Sequence, residues 1–378
     1  MPAVRSQDTP STRCSTGVDS YRVVPELKTE IEKQIRELLE QGVIVHNNSA
    51  FSSPILMVKK ADKTWRLVND FRHVNAITLK GKYPVPVIDE LLDELSGTRW
   101  FSKLDLKAGY HQIRLAPEEE HKTAFQTHTG HYEYKVMAFG LTGAPATFQH
   151  AMNVSLEPVL RKCALVFFND ILIYSESYEA HLEHLRQVLM ILQTDKWQVE
   201  LSKCAFARRK ISYLGHVISE EGVAMDPEKI ATVRDWPTPA NVKDVRILLG
   251  FSGYYRKFIE RYAMLSQPLT ALLKKGTVFV WTPAAEQAFQ LIKQALISTP
   301  VLALPNFKVP FTIKTDACDT GIGAVLQQNG HPVAFVSRAL GLGNMSLSVY
   351  EKEYLAILLA VEQCRPYLQM GEFTIKTD

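Results

Sequence analysis

The sequence predicts an α+β fold in its first half, a run of helices after about residue 222, and a return to short strands with one long helix from Pro310. Three observations carry this. In ELKTEIEKQIRELLEQGVI, from Glu26, apolar residues recur at helical spacing and a glycine stands near the end. In SSPILMVKKADKTWRLVNDFRHVN, apolar and basic residues alternate around Ala61, Asp62 and Lys63, the pattern of a β-hairpin. Beyond Gly222, helix-capping residues stand directly before helical runs at Asp226-Pro227, Asn241 and Thr282-Pro283, and proline at a first helical position is a start signal because its missing N–H has no helical partner there.

The elements follow in order. The hairpin carries Lys59, Lys60, Lys63, Arg66 and Arg72 and so presents a positive face. VPVIDELLDEL reads as a helix, FSKLDL and EYKVMAFGL as strands, Ala146 through Met152 as a helix, HLEHLRQVLMILQT as a helix and ISYLGHVI as a strand. VKDVRILLGFSGYYRKFI and AAEQAFQLIKQAL read as helices, with Pro237, Pro239, Pro268, Pro300, Pro305 and Pro310 punctuating the linkers between small helical units. PFTIKTDA, GIGAVLQQ and PVAFVSRAL are three short strands separated by tight turns, one of them Asn329-Gly330. The helix SVYEKEYLAILLAVEQCRPYL and the strand EFTIKTD complete the chain, and the recurrence of IKTD at 313–316 and 375–378 predicts two strands of one sheet.

Composition narrows the class. With 378 residues, 46% apolar and 22% charged, the chain is of globular type and long enough for two or three domains. Cys14, Cys163, Cys204, Cys318 and Cys364 form no CxxC pair, which favours a reduced intracellular setting and argues against disulfides or zinc. Apolar runs fall short of a membrane helix and the first twenty residues lack a signal-peptide core, so no membrane partner is expected. MPAVRSQDTPSTRCSTGVDS reads as a disordered leader over residues 1–20. A net charge of +3 does not by itself demand a polyanionic partner.

Chemistry concentrates at two strand-borne carboxylates. Asp105 sits in FSKLDLKAGYHQI and Asp170 in VFFNDILIYS, where Asn169-Asp170 interrupts an apolar run. Carboxylates brought side by side repel one another, and divalent metal relieves the repulsion; paired ions can then stabilise an in-line phosphoryl transfer. On spacing alone, a hairpin turn at Asn169-Asp170 explains the interruption equally well.

Taken together, FSSPILMVKK, WRLVNDFRHVNA, YPVPVIDELLDEL, FSKLDLKAGYHQIRL, FGLTGAPATFQHAMN, VFFNDILIYS, HLEHLRQV, YLGHVIS, LLGFSGYYRKFI and TDACDTGIGAVL resemble the pol region of gypsy-type long-terminal-repeat retrotransposons, and the Phe167-Phe168 form is similar to the plant branch. The resemblance runs from about Tyr21 onward in the family's order. It implies a right-hand polymerase with fingers and palm over 21–218, a thumb over 219–270, a connection over 271–309 and a partial, loosely packed ribonuclease H-like α/β domain over 310–378. The implied activity is RNA-directed DNA synthesis with two Mg2+ ions, Mn2+ being an alternative, on an RNA or DNA template with a primer and deoxynucleoside triphosphates. The implied location is a cytoplasmic particle or the nucleus.

By motif, Asp105 with the Leu106 carbonyl and Asp170 resemble the family's metal ligands. The family reads aromatic-x-Asp-Asp where this chain has Asn169-Asp170, so one ligand has lost its charge. Tyr110 resembles the residue that excludes a ribose 2′-hydroxyl, Lys60 and Arg66 those contacting the triphosphate, and Phe139 and Gly140 with Gly143-Ala144-Pro145 the loop supporting template and nucleotide. Ala138 and Gly143 depart from the family's usual Pro and Asn. YLGHVI at 213–218 resembles the primer-gripping hairpin, and Arg208, Arg209, Lys210, Arg256 and Lys257 are candidate phosphate contacts. Asp316, Glu353 and Asp378 resemble three of the four acids of ribonuclease H, with Asp319 and Glu351 as solvent-facing neighbours. The alternative reading is an inactive nucleic-acid-binding remnant or domesticated protein, which Asn169 also suits.

Overall fold

Two units divide the chain: one joins the residues up to Val87 with Ser102–Ala207, the other joins Ile88–Phe101 with Arg208–Asp378. The computed structural model describes residues 24–60, 63–79 and 81–377. The leader, Cys14, the Ala61-Asp62 tip of the basic hairpin and Asp378 lie outside these residues.

The first unit is organised by a four-stranded sheet in the order Ala164–Phe167, Asp170–Ser175, Trp100–Asp105, Ala205–Arg208. Helices Ala144–Leu156 and Tyr178–Thr194 pack on it. Leu104, Phe148, Met152, Leu156, Ile171, Ile173 and Val188 form its buried core. Each such side chain contributes about 1.5–3 kcal/mol by leaving water, so the strand ends that carry polar groups rest on a firm base. A second core joins Ile31 and Ile35 of helix Pro25–Glu40 to Ile44, Phe71 and Phe125. The basic hairpin forms as expected, with Ile55–Lys59 antiparallel to Trp65–Asn69 and Val58 opposite Arg66.

One strand expectation in this unit is corrected. Within EYKVMAFGL only Glu133 and Tyr134 are in a strand, His131–Tyr134. Val136 makes an isolated bridge to Arg114, and the chain then turns at Gly140, whose φ is +98. Met137 and Ala138 are buried by loop packing, and an apolar run does not itself distinguish that from a strand.

In the second unit, ISYLGHVI is two strands, Lys210–Tyr213 and His216–Ser219, joined at Leu214-Gly215 with φ of +49 and +77. Positive φ at both central residues is the two-residue hairpin turn that matches strand twist. The capping residues act as expected: Asp226, Asn241 and Thr282 accept hydrogen bonds from the first turns of helices Pro227–Arg234, Val242–Tyr254 and Pro283–Ile297. The helix from Val242 stops at Tyr254 rather than running to Ile259, because Tyr255 and Phe258 turn inward against His216. Pro268 lies inside helix Tyr262–Ala271 rather than in a linker; burial of Ser266 and Leu269 holds that helix despite the missing N–H.

The last sheet runs His331–Ala339, Gly321–Gln328, Phe311–Ala317, Phe373–Lys376. Its parallel pair sets Ile313 opposite Ile375 and Lys314 opposite Lys376, so the Ile-Lys halves of the two IKTD words lie in register. Asn329-Gly330 turns with φ of +52 and +81. Helix Val349–Gln363 opens on a capping box of Ser348 and Glu351 and breaks at Cys364, ahead of Pro366 in the short helix Arg365–Leu368. Ile313, Leu326 and Ala360 are fully buried, so this region has a packed core where a loose one was expected.

Candidate functional site

The turn around Asn169 explains the polar interruption. Phe167 pairs with Asp170 across the hairpin, leaving Phe168 and Asn169 as its two-residue tip. Phe168 has a φ of +49, an uncommon conformation for an aromatic residue that costs on the order of 1 kcal/mol. Asp170 therefore starts a strand beside Trp100–Asp105, whose last residue is Asp105. The Leu106 N–H donates to the Asn169 carbonyl at 3.3 Å, tying that strand end to the tip.

Both carboxylates are half-buried and each faces a lysine. Lys103 Nζ lies 2.8 Å from Asp170 Oδ1, and Lys203 Nζ lies 3.7 Å from Asp105 Oδ1. The amide of Asn169 rests against Gly109: a Cβ there would overlap Oδ1 and come within 2.8 Å of Cγ. That Oδ1 is buried and has no hydrogen-bond partner. The buried Asn169 Oδ1 is a neutral oxygen donor without a partner, and Asp105 and Asp170 on the adjoining strand ends carry the negative charge that a divalent cation would need. Lys103, Lys203 and Gly109 escaped the sequence reading; Gly109 left a signal, since a glycine next to a bulky site residue often marks close approach.

The Tyr110 ring packs 4.8 Å from Phe139 and 5.4 Å from Phe148, and burial raises its hydroxyl pKa. Phe139 is 44% exposed, so its outer face is open to a ligand. Asn75 holds the loop after it: Nδ2 donates to the Gly140 carbonyl at 2.8 Å, and Oδ1 accepts from the Thr142 N–H at 2.8 Å. Lys60 and Arg66 are exposed on the basic hairpin, whereas Arg72 is engaged with Asp70, whose carboxyl it holds below the usual range. Deeper in the sheet, His181 bridges Ser102 Oγ at 2.7 Å and Ser175 Oγ at 3.0 Å, and burial lowers its pKa to about 4. A neutral imidazole with one donor and one acceptor nitrogen suits that position.

Residues 58–218 match the family described as reverse transcriptase (RNA-dependent DNA polymerase), and residues 281–375 match the RNase H-like domain found in reverse transcriptase. The chain is 41% identical over 365 residues to the retrovirus-related Pol polyprotein from transposon 297 of Drosophila melanogaster, a match covering 95% of this chain and 34% of that protein. It is 35% identical to the transposon Tf2-3 polyprotein of Schizosaccharomyces pombe, over 96% of this chain and 28% of that one. A solved foamy viral protease-reverse transcriptase, in complex with double-stranded DNA, is similar in fold, with a TM-score of 0.87 at 22% identity over 100% of this chain and 79% of that one. The chain carries a reverse transcriptase domain followed by an RNase H-like domain. It spans about a third of the length of these curated relatives.

In the RNase H-like domain, Asp316 and Glu353 come from the first strand and the long helix as expected, while Asp378 lies outside the described residues. Glu353 Oε1 accepts from the Ala317 N–H at 3.1 Å, which sets it beside the strand of Asp316; its Oε2 is buried and has no hydrogen-bond partner. Asp316, however, is engaged by the guanidinium of Arg261, a residue with φ of +55 that stands before helix Tyr262–Ala271. The Ala263 N–H donates to Ser337 Oγ at 2.9 Å and holds this segment to the sheet. Asp319 is exposed but pairs with Lys352 at 3.1 Å, and Glu351 serves the capping box.

Proposed function

We propose that the chain is the polymerase and RNase H-like part of a gypsy-type, plant-like retrotransposon polyprotein, extending a primer on an RNA or DNA template with deoxynucleoside triphosphates. One observation carries the reading: two carboxylates, Asp105 and Asp170, stand on adjoining strand ends tied by the Leu106 N–H to the Asn169 carbonyl, and the Asn169 amide between them in sequence keeps a buried oxygen without a partner. The foamy viral relatives of like fold are complexes with double-stranded DNA or an RNA/DNA hybrid, which favours nucleic acid as the partner here.

In this reading Asp105, the Leu106 carbonyl and Asp170 would hold two Mg2+ ions, or Mn2+ in their place. Bound there, the ions would supply charge neutralisation at the reacting phosphate. Tyr110 and Phe139 set the shape of the sugar and base site. Lys60 and Arg66 on the exposed hairpin meet the triphosphate, where a guanidinium can hold two oxygens at once. Asn169 supplies oxygen without charge, so this copy binds substrate better than it turns it over. Fingers and palm to 218, thumb over 219–270, connection over 271–309 and RNase H-like from 310 is the proposed division, and a cytoplasmic particle or the nucleus the proposed location.

Primer extension by the chain with Mn2+ tests this. Slow extension that Asp105→Asn abolishes is expected. No extension from either the chain or Asn169→Asp, with duplex binding intact, would establish the rival reading of an inactive nucleic-acid-binding protein, for which Asn169 is the favouring observation.

A further inference from the structure

We propose that Gln149 is a positioning residue for the acid-bearing hairpin, acting as the inner member of a relay through Asn153 to Tyr83. Its effect on rate rests on the polymerase reading above, whereas its effect on the hairpin does not. Gln149 lies on helix Ala144–Leu156 and is wholly buried. Its Nε2 donates to the Val166 carbonyl at 3.1 Å, and its Oε1 accepts from the Phe168 N–H at 2.8 Å. One amide thus grips the first arm and the tip of the hairpin, just where Phe168 takes its positive φ and where Asn169 follows.

The chemistry fixes the direction of the whole relay. A backbone carbonyl only accepts and a backbone N–H only donates, so the Gln149 amide has a single allowed orientation. Its second Nε2 hydrogen goes to Asn153 Oδ1 at 2.8 Å, which turns Asn153 Nδ2 to the Tyr83 hydroxyl at 2.9 Å. Tyr83 lies in the irregular segment before the helix of Ile88–Asp93, and its ring packs 4.6 Å from His150. Every polar atom of the buried Gln149 side chain is used on the hairpin or on Asn153. The same device recurs at Asn75, which also bonds a carbonyl and the N–H two residues later, at Gly140 and Thr142. Side-chain amides therefore clasp both the hairpin tip at Phe168 and the loop that follows Phe139.

The relay makes an asymmetric prediction. Gln149→Glu keeps the acceptor for Phe168 but loses the donor to Val166 and to Asn153. Asn153→Asp keeps its acceptor for Gln149, and the Tyr83 hydroxyl becomes the donor, so the relay survives. In the Asn169→Asp background, Gln149→Glu should lower kcat for primer extension by roughly tenfold to a hundredfold, as a small misplacement of reacting groups does, with little change in nucleotide KM. Asn153→Asp should stay within about threefold of its parent, whereas a residue serving only core packing would not separate these two isosteric changes.

Site-resolved hydrogen exchange in the unaltered Asn169 chain supplies a readout free of activity. Gln149→Leu should speed exchange of the Phe168 amide by at least about tenfold while leaving the core of helix Tyr178–Thr194 protected. Should that variant fail to fold, Gln149→Glu is expected to speed exchange at this hairpin and Asn153→Asp is not. Unchanged Phe168 exchange in folded Gln149→Leu, or equal effects of Gln149→Glu and Asn153→Asp, would overturn the proposal. Absence of extension by Asn169→Asp would instead overturn the polymerase reading and leave the exchange result to decide the clasp.

Discussion

In the reverse transcriptase domain, Asp105 and Asp170 each face a lysine and the third position offers an amide oxygen; in the RNase H-like domain, Asp316 faces Arg261 while Glu353 keeps one buried oxygen unused. Both set an acid near the end of a strand and both contain a buried oxygen without a hydrogen-bond partner. They differ in how the negative charge is reduced. At Asn169 the side chain is a neutral amide, so no charge stands at that position in the covalent structure. At Asp316 the carboxylate remains and a cation from another segment engages it, which a side-chain movement can reverse.

The largest effect expected from this difference is at Asn169. Restoring the charge with Asn169→Asp should raise Mg2+-dependent primer extension by about a thousandfold, equivalent to about 4 kcal/mol of barrier, and should narrow the advantage of Mn2+. Single-turnover kinetics with one primer–template measures it, and equal rates would show that the amide does not limit the site.

Acid stability separates the two units next. Buried His181 has a pKa of about 4 against 6.5 unfolded, so the unfolded chain takes up the proton first. The stability that neutral His181 contributes is present above pH 6.5 and lost as pH falls towards 4, at most about 3 kcal/mol. In the other unit, His216 is lowered to about 4 by burial in the same sense, but burial raises Asp93 from 3.8 to about 6. A raised carboxyl contributes stability at low pH that is lost as pH rises through 6, so acidification returns through Asp93 part of what His216 gives up. Urea unfolding read by pulse proteolysis at pH 7.5 and pH 4.5 should find the His181 unit the more acid-sensitive; the reverse order would contradict this account.

Two glycines give the smallest contrast. A methyl group on Gly109 meets Asn169, which is fixed at a hairpin tip, whereas one on Gly321 meets the flexible end of Met264 as well as the Arg338 carbonyl at 3.2 Å. Gly109→Ala should cost about 1–3 kcal/mol by overpacking, and Gly321→Ala less. Thermal unfolding of the two variants orders them.

Much of this was legible in the sequence. Helix starts at Asp226, Asn241 and Thr282 fell where capping chemistry placed them, and the IKTD repeat foretold two strands of one sheet, though not their parallel register. Asp105 and Asp170 were legible because polar residues inside apolar strands need a reason. What escaped depends on distant partners: the Arg261 contact spans 55 residues, and the Lys203 pairing with Asp105 depends on the sheet bringing distant segments together. EYKVMAFGL misled because an apolar run buried by a loop has the same composition as a strand. Gln149 was hidden inside an ordinary-looking helix, since only the hairpin folded over it reveals what its amide holds.

Manganese titration, with free ion followed by electron paramagnetic resonance, tests the contrast between the two acid clusters most directly. Asn169→Asp should tighten one ion by at least about tenfold, or 1.4 kcal/mol, and Asp105→Asn should abolish that gain. Arg261→Gln should tighten a different ion, a gain that Asp316→Asn abolishes, and the double variant should show both. Isotherms that coincide for the chain, Asn169→Asp and Arg261→Gln would contradict the claim that one cluster lacks a charge and the other has it covered.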